Sequence, residues 1–405
     1  MLLKKLIILL NFNSFWWKTF FFISLLSFSF IGNAVQSQTK SIAFYYHEID
    51  SVRELLVYDR IVITPSAVSA RQLKQLAQGR VEVYAYLSIG ELNKQDSTAA
   101  LKRHVLANNT DWDSYVMDMT AKPWQQYLQD KASEYQELGF KGLFLDTLDS
   151  YQLSAGNQTH KQLQQKGLIQ VIANFKKLHT KLIFNRGFEL LSQLEFKPAG
   201  VVAESLFQGY DVKNHRYFVM KPEDTQWLLT KLNSIKNLDI EVIAIDYLDG
   251  NNRVAQREAA QRLLDNDFTP YISDGLLKQF GVSTIEPVPR RVLVFYDGKT
   301  GLKRQSDCHR LLSMLVEYKG YVPVCTDINT VNLEDIDTTR HQTIIFWLAP
   351  KFYNAGLLNW LESLLGKTRI VFFQYLPDDE NILKKLDIKK LDLLDGKLTI
   401  SQAPD

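Results

Sequence analysis

The sequence predicts an α/β architecture, a (β/α)8 TIM barrel followed by a small, incomplete-looking α/β domain, and three observations carry that expectation. Eight short runs rich in β-branched and aromatic residues lie between positions 41 and 273. They are near-continuously apolar rather than alternating, which is the pattern of parallel strands covered on both faces. Several of the segments between them carry helical periodicity. An open doubly wound sheet is the alternative arrangement of the same elements.

In chain order the strands are SIAFYYH (41 to 47), RIVITP (60 to 65), EVYAYLSI (82 to 89), GLFLD (142 to 146), KLIFN (181 to 185), GVVAES (200 to 205), EVIAIDY (241 to 247) and TPYIS (269 to 273). Helical spacing is clearest over 125 to 138, 160 to 179 and 252 to 265. The stretch from Glu91 to Gly139 is far longer than an ordinary βα connection and holds YVMDM at 115 to 119. It reads as an elaboration of the third loop.

Composition shifts divide the chain into 1–38, 39–283, 284–290 and 291–405. The first part holds Lys4 and Lys5, the uncharged run TFFFISLLSFSFIG and the small residues Gly32-Asn33-Ala34, the layout of a signal peptide. An uncleaved anchor ending near Ala34 is the alternative. Either way the mature chain is expected to be periplasmic or secreted, touching the membrane only through this segment. IEPVPRR at 285 to 291 places two prolines close together and reads as a linker. Beyond it RVLVFY, TIIFWLA and RIVFFQ supply strands for a small α/β domain with few crossovers. DGKTG at 297 to 301 follows a strand but lacks the spacing of a phosphate-binding loop. Cys308 and Cys325 are the only cysteines, to be paired in an oxidising compartment if the fold joins them, or else buried thiols.

A net charge of +2 leaves no basic footprint for nucleic acid. The polar residues gather elsewhere, at the strand ends. In a barrel the C-terminal ends converge on one rim, and here that rim is expected to present His47, Glu48, Thr64, Ser88, Glu91, Asp146, Asp149, Asn185, Arg186, Glu204 and Asp246. Asp146 also suits a helix N-cap. Glu204 is a poor cap and costly to bury without a partner or a task, and an ion pair with Arg186 is its structural alternative. Asp246 stands in IAIDYLD much as Asp146 stands in LFLDTLD. Two carboxylates facing each other across a barrel mouth suit glycoside hydrolysis. A metal site is the competing use of such groups, weakened because the histidines show no HxH or HxxxH spacing, although carboxylates alone can hold Mg or Ca; the chain has no G-x-S-x-G elbow for a serine triad, and the reading taken forward has no metal or cofactor. Tyr45, Tyr46, Tyr86, Trp112, Trp124, Tyr151, Phe207, Tyr210 and Tyr247 are aromatic candidates for stacking on sugars. Glu91, Asp118, Asp149 and Asp246 are expected to add negative potential around the cleft.

At FYY (44 to 46), AYLSIGE (85 to 91), GLFLDTLDSY (142 to 151), NRGFEL (185 to 190), VVAESLF (201 to 207) and AIDY (244 to 247), the chain resembles glycoside hydrolase family 114, the endo-α-1,4-polygalactosaminidases. Within that family it is most similar to the hydrolase domains of exopolysaccharide systems. The resemblance implies endo-cleavage of α-1,4-linked galactosamine or N-acetylgalactosamine polymers, an amino-sugar polysaccharide as partner, and exopolysaccharide secretion proteins beside it. It places the family's catalytic aspartate on Asp146 as nucleophile and its catalytic glutamate on Glu204 as general acid/base. The relatives continue into further domains, a deacetylase among them, and that activity is not carried over. A catalytically silent polysaccharide-binding component is the other reading, disfavoured by the presence of both carboxylates. Their places at the ends of the fourth and sixth strands predict a separation of roughly 5 to 6 Å and a retaining reaction.

Overall fold

A computed structural model describes residues 40–49, 52–178 and 181–388, and the expected signal segment lies outside them. The eight expected strands are present and parallel. β1 (Ile42–Tyr45), β2 (Arg60–Ile63) and β3 (Glu82–Ser88) come first, with helix α1 (Ala70–Gln78) before β3. Ser69 and Gln72 start α1 through a reciprocal capping box. The long third loop folds as an antiparallel sheet of its own, β4 (Glu91–Asn93), β5 (Val105–Asn109) and β6 (Ser114–Met117), in the order β4-β6-β5. It leads into α2 (Lys122–Leu138), which stops at Gly139 with φ 103°.

β7 (Gly142–Asp146), α3 (Gln158–Lys177), β8 (Lys181–Asn185) and β9 (Gly200–Glu204) continue the barrel. A hairpin not expected from the sequence, β10 (Gln208–Asp211) and β11 (Arg216–Val219), rises after β9. Then α4 (Pro222–Lys236), β12 (Val242–Tyr247), α5 (Arg253–Leu264) and β13 (Thr269–Ser273) complete the round. Strand order is β1-β2-β3-β7-β8-β9-β12-β13. The lumen is filled rather than hollow, with the rings of Phe44, Phe144 and Tyr271 at centroid distances of 5.4 and 5.5 Å.

Among the described residues no ladder joins β13 back to β1. The chain closes that seam with the segment that follows β13. Val282 bridges antiparallel to Ile272, the Ile42 amide donates to Ser283 Oγ at 3.1 Å, and the Tyr271 hydroxyl donates to the Phe44 carbonyl at 2.9 Å. Glu286 then pairs with Arg253 and Arg257. The segment 284–290, expected as a linker, is therefore tied to the barrel wall at Glu286.

The last part forms a four-stranded parallel sheet from β14 (Arg291–Tyr296), β15 (Val322–Asp327), β16 (His341–Phe346) and β17 (Arg369–Phe372), in the order β15-β14-β16-β17. Helix α6 (Ser313–Tyr318) packs on one face through Val316, beside Cys308 and Leu312. On the other face α7 (Ala355–Leu364) packs through Leu357 and Leu361, and α8 (Glu380–Lys385) through Ile382. β15 escapes a sequence reading because Pro323 interrupts it, a residue tolerated because the strand lies at a sheet edge. Cys308 and Cys325 form a disulfide with Cα atoms 5.9 Å apart.

At the N-terminal end of the barrel, Arg60 is 4% exposed and forks onto both oxygens of Glu241, which also accepts from Thr269 Oγ1 at 2.6 Å. Glu241 is 29% exposed, so it is removal of Glu241 that leaves a charge, the Arg60 guanidinium, buried without its partner. Glu241→Met is expected to lower stability by about 3 kcal/mol, and Arg60→Met/Glu241→Met to recover most of that loss. Urea unfolding of both variants checks this.

Candidate active site

Three successive barrel strands end in the same way. β7 ends at Asp146, β8 at Asn185 and β9 at Glu204, and the next residue in each case, Thr147, Arg186 or Ser205, has a left-handed backbone with φ of 61, 57 or 59°. That region is uncommon for side chains with a Cβ and an outlier for a β-branched one. Local bonds hold it in place. Thr147 Oγ1 accepts from the Gly90 amide at 2.8 Å and donates to the Asp146 carbonyl at 2.6 Å, while the Ser205 amide donates to the Ile245 carbonyl at 2.8 Å. Each reversal turns the chain off the strand at once and leaves the preceding polar side chain at the rim.

Those three side chains meet. Asn185 Nδ2 donates to Asp146 Oδ1 at 2.8 Å and to Glu204 Oε1 at 2.7 Å, so the two acceptor oxygens lie at most 5.5 Å apart, the sum of the two lengths. Asp146 takes two further bonds, from the Tyr86 hydroxyl at 2.6 Å and the Thr147 amide at 2.8 Å. The Tyr247 hydroxyl donates to Glu204 Oε2. Tyr46 packs edge-on to Tyr86, with centroids 5.2 Å apart. Burial first, and then the Asp146 charge, hold the Glu204 carboxyl above its usual range, against the Tyr247 and Asn185 hydrogen bonds and the Arg186 guanidinium. Burial, followed by the neighbouring carboxylates, raises the hydroxyls of Tyr46, Tyr86 and Tyr247 far above neutral pH, so all three stay protonated. Asp149 sits half-buried nearby. Desolvation raises it and Arg186 pulls it down.

Other sequence candidates have different tasks. Glu91 is 5% exposed and accepts from Asn109, Ser114 and Ser150, pinning the three-stranded insertion to the loop after β7. Asp246 is fully buried and accepts the backbone amides of Leu206 and Phe207, at 2.7 and 3.0 Å, fixing the chain just beyond Glu204. Asp118 holds Thr120 and Gln164. All three are held by local hydrogen bonds, Glu91 and Asp246 within the protein and Asp118 half-exposed. Tyr45 is 1% exposed and stacks on Phe280, with centroids 4.8 Å apart, behind the rim. Trp124, Tyr151 and Phe207 are core. Ser88 supports the site from below, bonding to the Glu91 carbonyl and to Thr147 Oγ1, both at 2.9 Å. Tyr210 stands on the new hairpin with its hydroxyl on His215 Nδ1 at 3.1 Å. His47 and Glu48 are exposed loop residues. Thr147 was missed as a site residue, since nothing in TLD marks a left-handed threonine. Among the described residues no group of three His, Cys, Asp or Glu side chains could hold a metal.

A carboxyl whose pKa is raised beside a second carboxyl, at the mouth of a (β/α)8 barrel, is the equipment of acid-assisted glycosyl transfer to water. Residues 33–288 match the glycoside-hydrolase family GH114, and the chain belongs to that family: it is a glycoside hydrolase. It is similar to the glycoside hydrolase domain of PelA from Pseudomonas aeruginosa, at 33% identity and a TM-score of 0.57 over 61% of this chain and 99% of that one. A glutamate-to-alanine variant of that domain gives 33% and 0.56 over the same shares. Ega3 of Aspergillus fumigatus, solved with galactosamine, gives 13% identity and a TM-score of 0.46 over 61% of this chain and 95% of that one. No curated protein matches the chain.

Asp246→Ala is expected to cost about 2 kcal/mol at pH 5, because two buried amides lose their acceptor. Burial pushes Asp246 up to about 6, against the backbone amides that pull it down. Its folded value thus lies above that of an unfolded aspartate, near 4. The stability it contributes is greatest below that unfolded value and falls as pH rises through 6. Urea midpoints of wild type and variant should therefore converge between pH 4 and 7.

Proposed function

We propose that this chain is an exported, endo-acting hydrolase of α-1,4-linked galactosamine or N-acetylgalactosamine polymer, working with retention through Asp146 as nucleophile and Glu204 as general acid/base. The observation that carries this reading is the single Asn185 amide shared by both carboxyls. That ceiling of 5.5 Å between Asp146 Oδ1 and Glu204 Oε1 supports direct attack, since retaining enzymes place the two carboxyls about 5 to 5.5 Å apart and inverting ones about 6.5 to 9.5 Å.

In the first step an Asp146 oxygen bonds to the anomeric carbon as the glycosidic bond breaks, and Glu204 gives its proton to the departing oxygen. Asn185, Tyr86 and the Thr147 amide all donate to Asp146 and orient it for attack. Burial and the Asp146 charge favour the acid form of Glu204, and the Tyr247 hydroxyl, donor or acceptor by rotation, suits both of its states. In the second step Glu204, now a carboxylate, takes a proton from water, whose oxygen displaces Asp146 from the sugar. The two inversions restore the original anomer.

Membership of GH114 and the 33% identity to a PelA hydrolase domain support the substrate class. Export is supported by the composition of residues 1–38 and by the Cys308–Cys325 disulfide, a bond at home in oxidising compartments. Secretion proteins of an exopolysaccharide system are the corresponding partners.

Asp146→Asn and Glu204→Gln keep shape and remove ionisation, so each is expected to lower turnover about a hundredfold or more in a reducing-end assay on galactosamine-rich polymer. Near wild-type activity in either variant would remove that residue from its role. Because Glu204 must be protonated, kcat/KM should fall as pH rises through its elevated pKa. Proton NMR of the first product should show the α-anomer; a β-anomer before mutarotation excludes the covalent route.

A further inference from the structure

Two insertions on the rim meet at their tips. The β5–β6 turn projects Asp111, Trp112 and Asp113, and the β10–β11 turn projects Lys213. Asp111 Oδ1 lies 2.6 Å from Lys213 Nζ, and Asp113 Oδ1 lies 2.5 Å from Lys94 Nζ. The Asp111 amide also donates to Asn109 Oδ1 at 3.1 Å. Both neighbours of Trp112 are thus anchored, yet its own side chain is 64% exposed. Trp124, by contrast, is fully buried and donates its indole N–H to the Ile89 carbonyl.

A lone exposed aromatic needs no explanation. This one is singled out by where its supports are rooted. The first insertion begins at Glu91, three residues beyond Ser88, the ladder partner of Asp146. The hairpin begins at Gln208, four residues beyond Glu204. The Asp111–Lys213 contact therefore links the loop beside one carboxylate to the loop that follows the other. Trp112 stands five residues from Met117, whose amide is tied to Gly90, so at about 3.3 Å per residue the strand can carry it up to roughly 17 Å from that anchor. A span of that size can meet units further along the same chain.

We propose that Trp112 is an outer carbohydrate-binding platform, on which a sugar several units from the scissile bond stacks, and that the Asp111–Lys213 bridge holds it in place. The inference rests on the polymer-hydrolase reading given above. An indole face carries negative charge density, so it attracts the C–H face of a pyranose and, more strongly, a protonated amino group on that ring. The platform thus favours units with a free amine over N-acetylated ones.

The test uses the full chain and soluble α-1,4-galactosamine polymer at two degrees of acetylation. Trp112→Ala is expected to raise KM about tenfold on the less acetylated polymer while kcat changes by less than about twofold. The increase should be smaller on the more acetylated polymer. Trp112→Phe should keep part of the affinity, which separates loss of the ring from local misfolding. Trp227→Ala, exposed on α4 outside this bridge, should leave KM unchanged. Lys213→Asp should raise KM, and Asp111→Lys/Lys213→Asp should restore it. Wild-type cleavage with Trp112→Ala indistinguishable from Trp227→Ala would overturn the platform and leave the hydrolase reading intact. If wild type does not cleave the polymer, the functional reading fails first. Affinity electrophoresis in polymer gels then decides, with equal retardation of wild type and Trp112→Ala overturning the platform and weaker retardation of the variant sustaining it.

Discussion

Two carboxyl groups held within 5.5 Å of each other and walled by tyrosine rings cannot both ionise cheaply. The rest of the rim answers to that constraint. Asp146 receives three donated hydrogen bonds. Burial first, and then the Asp146 charge it faces, raise the Glu204 carboxyl above its usual range. Arg186 moderates the contrast from the side, favouring ionisation of both Glu204 and Asp149. The asymmetry between two chemically similar groups is therefore a property of what surrounds them, chiefly Asn185, Tyr86 and Tyr247.

The backbone makes this possible. A strand that simply ran on into its loop would carry the following residues through the space above the rim. The left-handed turns after Asp146, Asn185 and Glu204 prevent that on three adjacent strands. Such conformations are costly and persist where surrounding bonds fix them, as the contacts of Thr147 with Gly90 and Ser88 do here. Asp246, buried beneath the turn after Glu204, does similar work with its carboxylate.

Much of this was legible in the sequence. Continuous apolar runs such as GLFLD and GVVAE have one physical use in a chain of this kind, so the barrel strands and the polar residues closing them could be read directly. What could not be read was which strand-end acids face outward. Glu91 and Asp246 look like Asp146 in a one-dimensional pattern, but each is consumed by amides or hydroxyls that only the folded chain brings near. Tyr45 and Tyr46 are adjacent letters with opposite fates, because side chains alternate along a strand and only one of the two points to the mouth. The β10–β11 hairpin was missed because its strands are short and half-exposed, so burial never imposes a clear alternation. Its turn at Asn214 and His215, the latter with φ 50°, was the available signal.

The seam between β13 and β1 has a consequence for the order in which the molecule can be made. β1 obtains its first neighbour when residue 63 is available, but its other edge waits for the Tyr271 and Ser283 hydroxyls and, at Tyr46, the Leu277 carbonyl. A chain made from its N-terminus must therefore carry an open, twisted sheet with an uncovered leading edge until residues 271–283 are available. Unpaired strand edges in partly made chains invite wrong partners. Arrival of residues 271–283 is the event that ends the hazard.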